Sequence, residues 1–368
     1  MKIRNITCHN VFNYGASLQA YALAAYLRSL GHDVKVIDYM PPYIRKNLGL
    51  FAISPKYKRN IFIAFAFYCY VVPIRIVQKK ARLKFKSFLD SYVDMTQRYN
   101  TYDELKNNPP ESDIYFCGSD QIWNTNIGNG LDPAFYLDFA PNEKVRASYA
   151  ASFSISDIPT EYVSFVKGML AKMNFISVRE KTGLSILNSL GINSGTHVLD
   201  PVFLLNKEHW LSMTYVPKYE NYILVYDQEN SKLIRDIAIS ISNDTGKKIV
   251  SLKDLYPRYW ADYQEKYAGP IDFISLIAHA DIVITNSFHC CAFSLIMERQ
   301  FYVINRTHQK VNSRMVDLLS ALSISDRMII DELGLKTADE IDYTLVNPIL
   351  EDMRIMSKSY IDKVLSSC

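Results

Sequence analysis

Apolar, strand-like runs alternate along this chain with stretches whose apolar residues recur at helical spacing. Residues 1–7 read as a strand, 13–17 (NYGAS) as a turn, and 18–30 as a helix that Gly31 stops. Residues 33–38 (DVKVID) alternate in the manner of a strand. A strand, a helix and a strand within about forty residues make a crossover that demands parallel strands. Residues 43–105 are mostly helical in pattern, and 113–117 (DIYFC), 144–149 (KVRASY) and 175–178 (FISV) read as further strands. Residues 162–173 and 182–190 read as helices, and 196–199 as a strand leading to Asp200-Pro201.

The pattern then restarts. Strands are predicted at 222–226 (YILVY), 248–251 and 301–304 (FYVI), and helices at 231–243, 270–280 and 314–322. Between them lies 281–289 (DIVITNSFH), a mostly apolar run, a short polar turn and one histidine, followed by the apolar start of a helix. That order puts His289 at the carboxyl edge of a sheet, where open α/β sheets bind ligands. Two successive patterns predict two Rossmann-like, doubly wound α/β domains facing a cleft. Their expected extents are 1–210, with a helical insert at about 43–105, and 211–347, with a final helix at 348–368.

A chain of 368 residues with 49% hydrophobic residues can bury two such cores. Lys plus Arg number 41 against 38 Asp plus Glu, an excess too weak to predict nucleic-acid binding. None of the six cysteines forms a C-x-x-C pair, and the N-terminus lacks an apolar leader, so a reduced, cytoplasmic setting is expected. Residues 61–76 (IFIAFAFYCYVVPIRI) are apolar but too short to span a bilayer, which takes about 20 residues. Basic residues from Lys58 to Lys86 lie in and beside this run. The stretch reads as a pair of ordinary helices with a solvated basic face, or as peripheral contact with anionic lipid.

Most candidate chemistry falls at strand ends. Asn13, Tyr14, Gly15 and Ser17 follow the first strand, where Gly15 permits close backbone approach and the helix start offers N–H groups to an anion. Gly118, Ser119 and Asp120 follow another strand, with Asp120 a base, a sugar-hydroxyl acceptor or a helix cap. Arg179 is a fork for phosphate or carboxylate, or one half of an ion pair. Across the expected cleft, Ser287, His289, Asn305, Arg306, His308 and Lys310 form a cationic set suited to an anionic ligand rather than a metal. Nucleotide fingerprints and a G-x-S-x-G elbow are missing, and Cys290 points away from its neighbour His289 at a helix start.

These residues occur in ordered blocks: NYGASLQAYAL at 13–23, GSDQIWN at 118–124, SYAASF at 148–153, ISVRE at 176–180, VLDP at 198–201 and TNSFH at 285–289. In them the chain resembles the polysaccharide pyruvyl transferase family nearly end to end. The resemblance implies a GT-B-like fold and transfer of the pyruvyl carbons of phosphoenolpyruvate to sugar hydroxyls. The product would be a pyruvate ketal on a polysaccharide or its lipid-linked precursor. It further implies His289 as acid/base, Arg179 and Lys310 as donor-binding cations with Arg306 competing, and no cofactor beyond the co-substrate. Cys290 and Cys291 stand where many relatives carry small residues, and Ser287 where some carry Arg. A GT-B-like transferase using a nucleotide sugar, and a non-catalytic saccharide-binding protein, are the alternatives.

Overall fold

The structure, a computed structural model, describes residues 1–45, 60–252, 258–306, 312–331, 334–335 and 339–367. Strands β1 (Lys2–Ile6), β2 (Asp33–Tyr39), β3 (Met95–Tyr99), β4 (Ile114–Cys117) and β5 (Val145–Ser148) form a parallel sheet in the order β3-β2-β1-β4-β5. The short parallel pair β6 (Ser177–Val178) and β7 (Thr196–His197) is joined to its β5 side by isolated bridges. A second parallel sheet holds β8 (Tyr222–Tyr226), β9 (Lys248–Leu252), β10 (Tyr263–Glu265), β11 (Ile282–Thr285), β12 (Gln300–Ile304) and β13 (Met328–Ile329). Its order is β10-β9-β8-β11-β12-β13. Each sheet therefore reverses its winding once, between β1 and β4 and between β8 and β11. At such switch points the neighbouring connections leave in opposite directions and open a crevice beyond the strand ends.

Three expectations change. The 13–17 segment is no turn: Asn13 Oδ1 accepts from Ala16 N at 3.3 Å and caps a helix that already begins at Tyr14 and runs to Ser29. The 43–105 insert is helical at Ile61–Val77, Lys79–Tyr92 and Tyr102–Asn107, but Met95–Tyr99 pairs with β2 as an edge strand. Its sequence, MTQRY, is too polar to show strand periodicity, and residues 46–59 lie outside the described residues. The last helix begins at Tyr343, where Asp342 caps it, and carries Pro348 inside it. It packs on the first half: Ser357 Oγ accepts from Leu199 N at 2.9 Å, and Tyr360 Oη donates to Ser148 O at 2.8 Å.

One core joins the two sheets. Tyr14 stacks on Phe85 at 5.2 Å and on Phe273 at 4.6 Å between ring centroids. The Tyr14–Ser29 helix also packs on the helices Pro270–His279 and Phe288–Ile296 of the second half. This packing holds the two switch points opposite each other.

Candidate active site

β11 ends at Thr285 and the chain turns through Asn286 and Ser287 into the Phe288–Ile296 helix. Side chains pin that turn. Thr285 Oγ1 donates to Tyr226 O at 2.7 Å and accepts from Ser287 N at 3.0 Å. Asn286 bridges to the end of β8, donating to Asp227 Oδ1 at 2.7 Å and accepting from Gln228 N at 2.9 Å. The first helical turn then carries His289 to the cleft wall. Cys290 and Cys291 turn into the core, where burial pushes the Cys290 thiol up to about 12 and raises Cys291 further.

The imidazole lies against the backbone of Gly15. A Cβ at that position would stand 1.9 Å from His289 Nδ1 and 2.2 Å from its Cγ. Glycine is needed there because the ring already occupies the space of a side chain. On the ring's far side Nε2 is buried and faces Asp200 Oδ2 at 3.5 Å, long for a hydrogen bond. Asp200 also lies 2.6 Å from Arg179 Nη1 and 3.1 Å from Ser119 Oγ, and Val202 N donates to its Oδ1 at 3.1 Å. Burial alone would raise its carboxyl. The facing His289 and Arg179 outweigh burial and hold it well below the usual carboxylate range.

Arg179 is thus engaged behind the histidine. Burial would lower its guanidinium, but Asp200, Asp120 and Glu180 together raise it. It does not line the cleft. The ion-pair reading of Arg179 describes its contacts in this state.

The cleft encloses about 490 Å³ between the two switch points. Asn13, Asp120 and Gln121 line it from the first half, and Ser287, His289, Arg306 and Arg314 from the second. Tyr43, Gly128 and Asn129 form its outer wall. Arg306 is tethered through Nε to Asn286 O at 3.0 Å. Arg314 differs from every other cation in the group. Among the described residues it donates no hydrogen bond, its Nε is buried without a partner, and its nearest carboxylate, Asp120, is 4.0 Å away. Burial first, then the facing Arg179, push Arg314 down to about 10, so it remains charged at neutral pH. A buried, charged and poorly compensated guanidinium at a cleft wall is suited to an anion.

The candidates therefore divide. Asn13, Asp120, Ser287, His289 and Arg306 meet at the cleft, and Gly15 seats the histidine. Tyr14 belongs to the aromatic core, and Ser17 is buried in its helix. Gly118, at φ 122°, sits so close to Tyr149 O that a Cβ would stand 2.2 Å from it. Ser119 is buried and holds Asp200. His308 and Lys310 lie outside the described residues. Two residues escaped the sequence reading: Asp200, visible only as an Asp-Pro pair after a strand, and Arg314, visible only as the start of a helix. Among the described residues no group of three or more His, Cys, Asp or Glu side chains is placed to hold a metal ion.

The family model described as polysaccharide pyruvyl transferase matches residues 13–308. No curated protein matches the chain. Among solved structures, UDP-GlcNAc 2-epimerase from Neisseria meningitidis bound to UDP-GlcNAc aligns with a TM-score of 0.52 at 10% identity, covering 100% of both chains. UDP-N-acetylglucosamine 2-epimerase from Rickettsia bellii gives the same score and identity, over 100% of this chain and 96% of that one. The glycosyltransferase SnogD from Streptomyces nogalater aligns at 0.43 and 11% identity, over 100% of this chain and 99% of that one. Likeness at such identity establishes the fold alone, two Rossmann-like domains of the GT-B kind.

Proposed function

The chain belongs to the polysaccharide pyruvyl transferase family, and on that premise we propose that it transfers the pyruvyl group of phosphoenolpyruvate to saccharide hydroxyls. The acceptor is a polysaccharide or its lipid-linked precursor, the product is a pyruvate ketal, and inorganic phosphate is released. The observation that carries this reading is the pairing of His289 with Arg314 in one cleft. A proton-transfer group stands beside a charged guanidinium that lacks a close counter-charge.

The chemistry asks for both. The methylene carbon of phosphoenolpyruvate must take a proton, which leaves an oxocarbenium-like centre at its second carbon. One sugar hydroxyl attacks that carbon, and a second displaces phosphate. Of the two hydroxyl protons, one replaces the proton given to the methyl group and one leaves with phosphate. His289 gives and recovers these protons, with Asp200 orienting its ring. Arg314 and Arg306 hold the donor's carboxylate and phosphate and offset the charge that develops on the leaving group. Asp120, at the cleft wall, accepts from an attacking hydroxyl. Arg179 acts through Asp200 rather than on the donor, and Lys310 keeps the donor-binding role implied by the family.

The test is phosphate release by the purified protein. It should require both phosphoenolpyruvate and a saccharide, and His289→Ala should lower it by roughly 100-fold or more, the usual contribution of a general acid–base group. Release that survives His289→Ala, or turnover of a nucleotide sugar instead, would overturn the reading.

A further inference from the structure

The charge of this chain is unevenly distributed. Residues 39–89 contain no Asp or Glu and 11 of the 41 Lys and Arg residues. The other 30 basic residues stand against all 38 acidic ones, so the remainder of the chain is net negative. The same stretch carries a cluster of exposed apolar side chains. None of the described side chains of the Ile61–Val77 helix is buried, and its only charged residue is Arg75. Ile61, Phe62 and Phe65 are 78%, 81% and 69% exposed. With Cys69 and Ile76 they recur at helical spacing and form one apolar stripe.

The following helix, Lys79–Tyr92, anchors this stripe to the body through buried Phe85, Phe88 and Leu89. Lys79 and Lys80 make no ion pair among the described residues and stand exposed at the junction of the two helices. We propose that the Ile61–Val77 helix and this junction dock on an anionic membrane surface. The apolar stripe would lie at the boundary between headgroups and acyl chains, with the lysines on the lipid phosphates. The helix lies on the bilayer and does not cross it, because no described helix is long and apolar enough to span one. Charge complementarity selects this occupant over a second copy of the chain. A two-fold contact through the stripe would bring like cationic flanks together, whereas an anionic surface neutralises them.

Docking also places the cleft. Phe12 packs on Phe85 and lies under Arg82, and Val11 beside it lines both the cleft and a groove of about 310 Å³ along the Lys79–Tyr92 helix. The cleft therefore lies next to the helix that anchors the docking surface. This surface reading stands on exposure and charge and does not depend on pyruvyl transfer.

The full chain is tested by co-sedimentation with phosphatidylglycerol/phosphatidylcholine vesicles and with pure phosphatidylcholine vesicles, at low and high salt. Sedimentation should require the anionic lipid and weaken as salt rises. Phe62→Asp with Phe65→Asp should reduce it at least tenfold, and Lys79→Glu with Lys80→Glu severalfold, both without change in melting temperature. His289→Ala should bind vesicles as wild type does, so failure of the cleft reading is read separately. No sedimentation, equal binding to neutral vesicles, or insensitivity to salt would overturn the proposal. So would a wild-type dimer that Phe62→Asp with Phe65→Asp converts to a monomer, since a second copy would then be what covers the stripe.

Discussion

Arg179 and Arg314 lie on one phenylalanine, with guanidinium carbons 4.8 and 5.5 Å from the centre of the Phe288 ring. Both are buried, yet their surroundings differ. Arg179 has Asp200 at 2.6 Å, Asp120 at 3.5 Å and Glu180 at 4.0 Å. Arg314 has only Asp120, at 4.0 Å. The first is compensated and sits behind the histidine, whereas the second is under-compensated and sits in front of it, on the cleft. The same residue type is thus surrounded by carboxylates at one position and left with little counter-charge at the other. Residue identity does not distinguish the two. The count of carboxylates within reach does.

Replacing each arginine by methionine should split them most sharply. Arg179→Met leaves Asp200 and Glu180 buried without their cation and should cost about 3–5 kcal/mol of unfolding free energy in a denaturant titration. Arg314→Met removes a charge that is poorly compensated and should leave stability unchanged or raise it. If the two variants lose stability equally, the contrast between a structural and a ligand-holding arginine fails.

The histidine between the two regions is the next point of attack. Gly15→Ala places a methyl group inside the volume of the His289 ring and must displace it. Displacements of about 1 Å at a reacting group can cost roughly 100-fold in rate, and a loss of that order is expected in kcat with little change in affinity for phosphoenolpyruvate. A Gly15→Ala protein with wild-type turnover would show that the ring's seat on the helix start is dispensable.

A smaller effect should appear on acidification. Asp200 has a folded-state pKa below its unfolded value, so it contributes stability that is fully present above the ordinary carboxylate range and is lost as pH falls through the folded value. The stability deficit of Asp200→Asn against wild type should be constant above roughly pH 5 and shrink below it. A deficit that grows on acidification would contradict the assignment of Asp200 as the ionised partner of Arg179 and His289.

Much of this arrangement was legible from residue order. The apolar run before Asn286 and the apolar residues after His289 specify a buried strand and a helix, and the turn between them can only lie at a sheet edge. What escaped was tertiary. The helix at Tyr14 looked like a turn because Gly15 and Ser17 are turn residues. Its Asn13 cap and its contact with His289 become visible only when the halves meet. The polar edge strand Met95–Tyr99 carries no periodic apolar signal, because an edge strand buries little. Asp200 and Arg314 are far apart in sequence from the histidine they flank, and nothing local tells a capping Asp or a helix-start Arg from a site residue. The exposed Ile61–Val77 helix was ambiguous for the opposite reason. Its composition fits a core helix equally well, and only the exposure of its described side chains argues against that.

The central claim, that Arg314 holds the anionic donor beside His289, is tested most directly by calorimetric titration of phosphoenolpyruvate into wild type and Arg314→Met. Loss of one charge-assisted contact should weaken binding by roughly 10- to 100-fold. Equal affinity in the two proteins, or no binding of phosphoenolpyruvate to wild type, would contradict it.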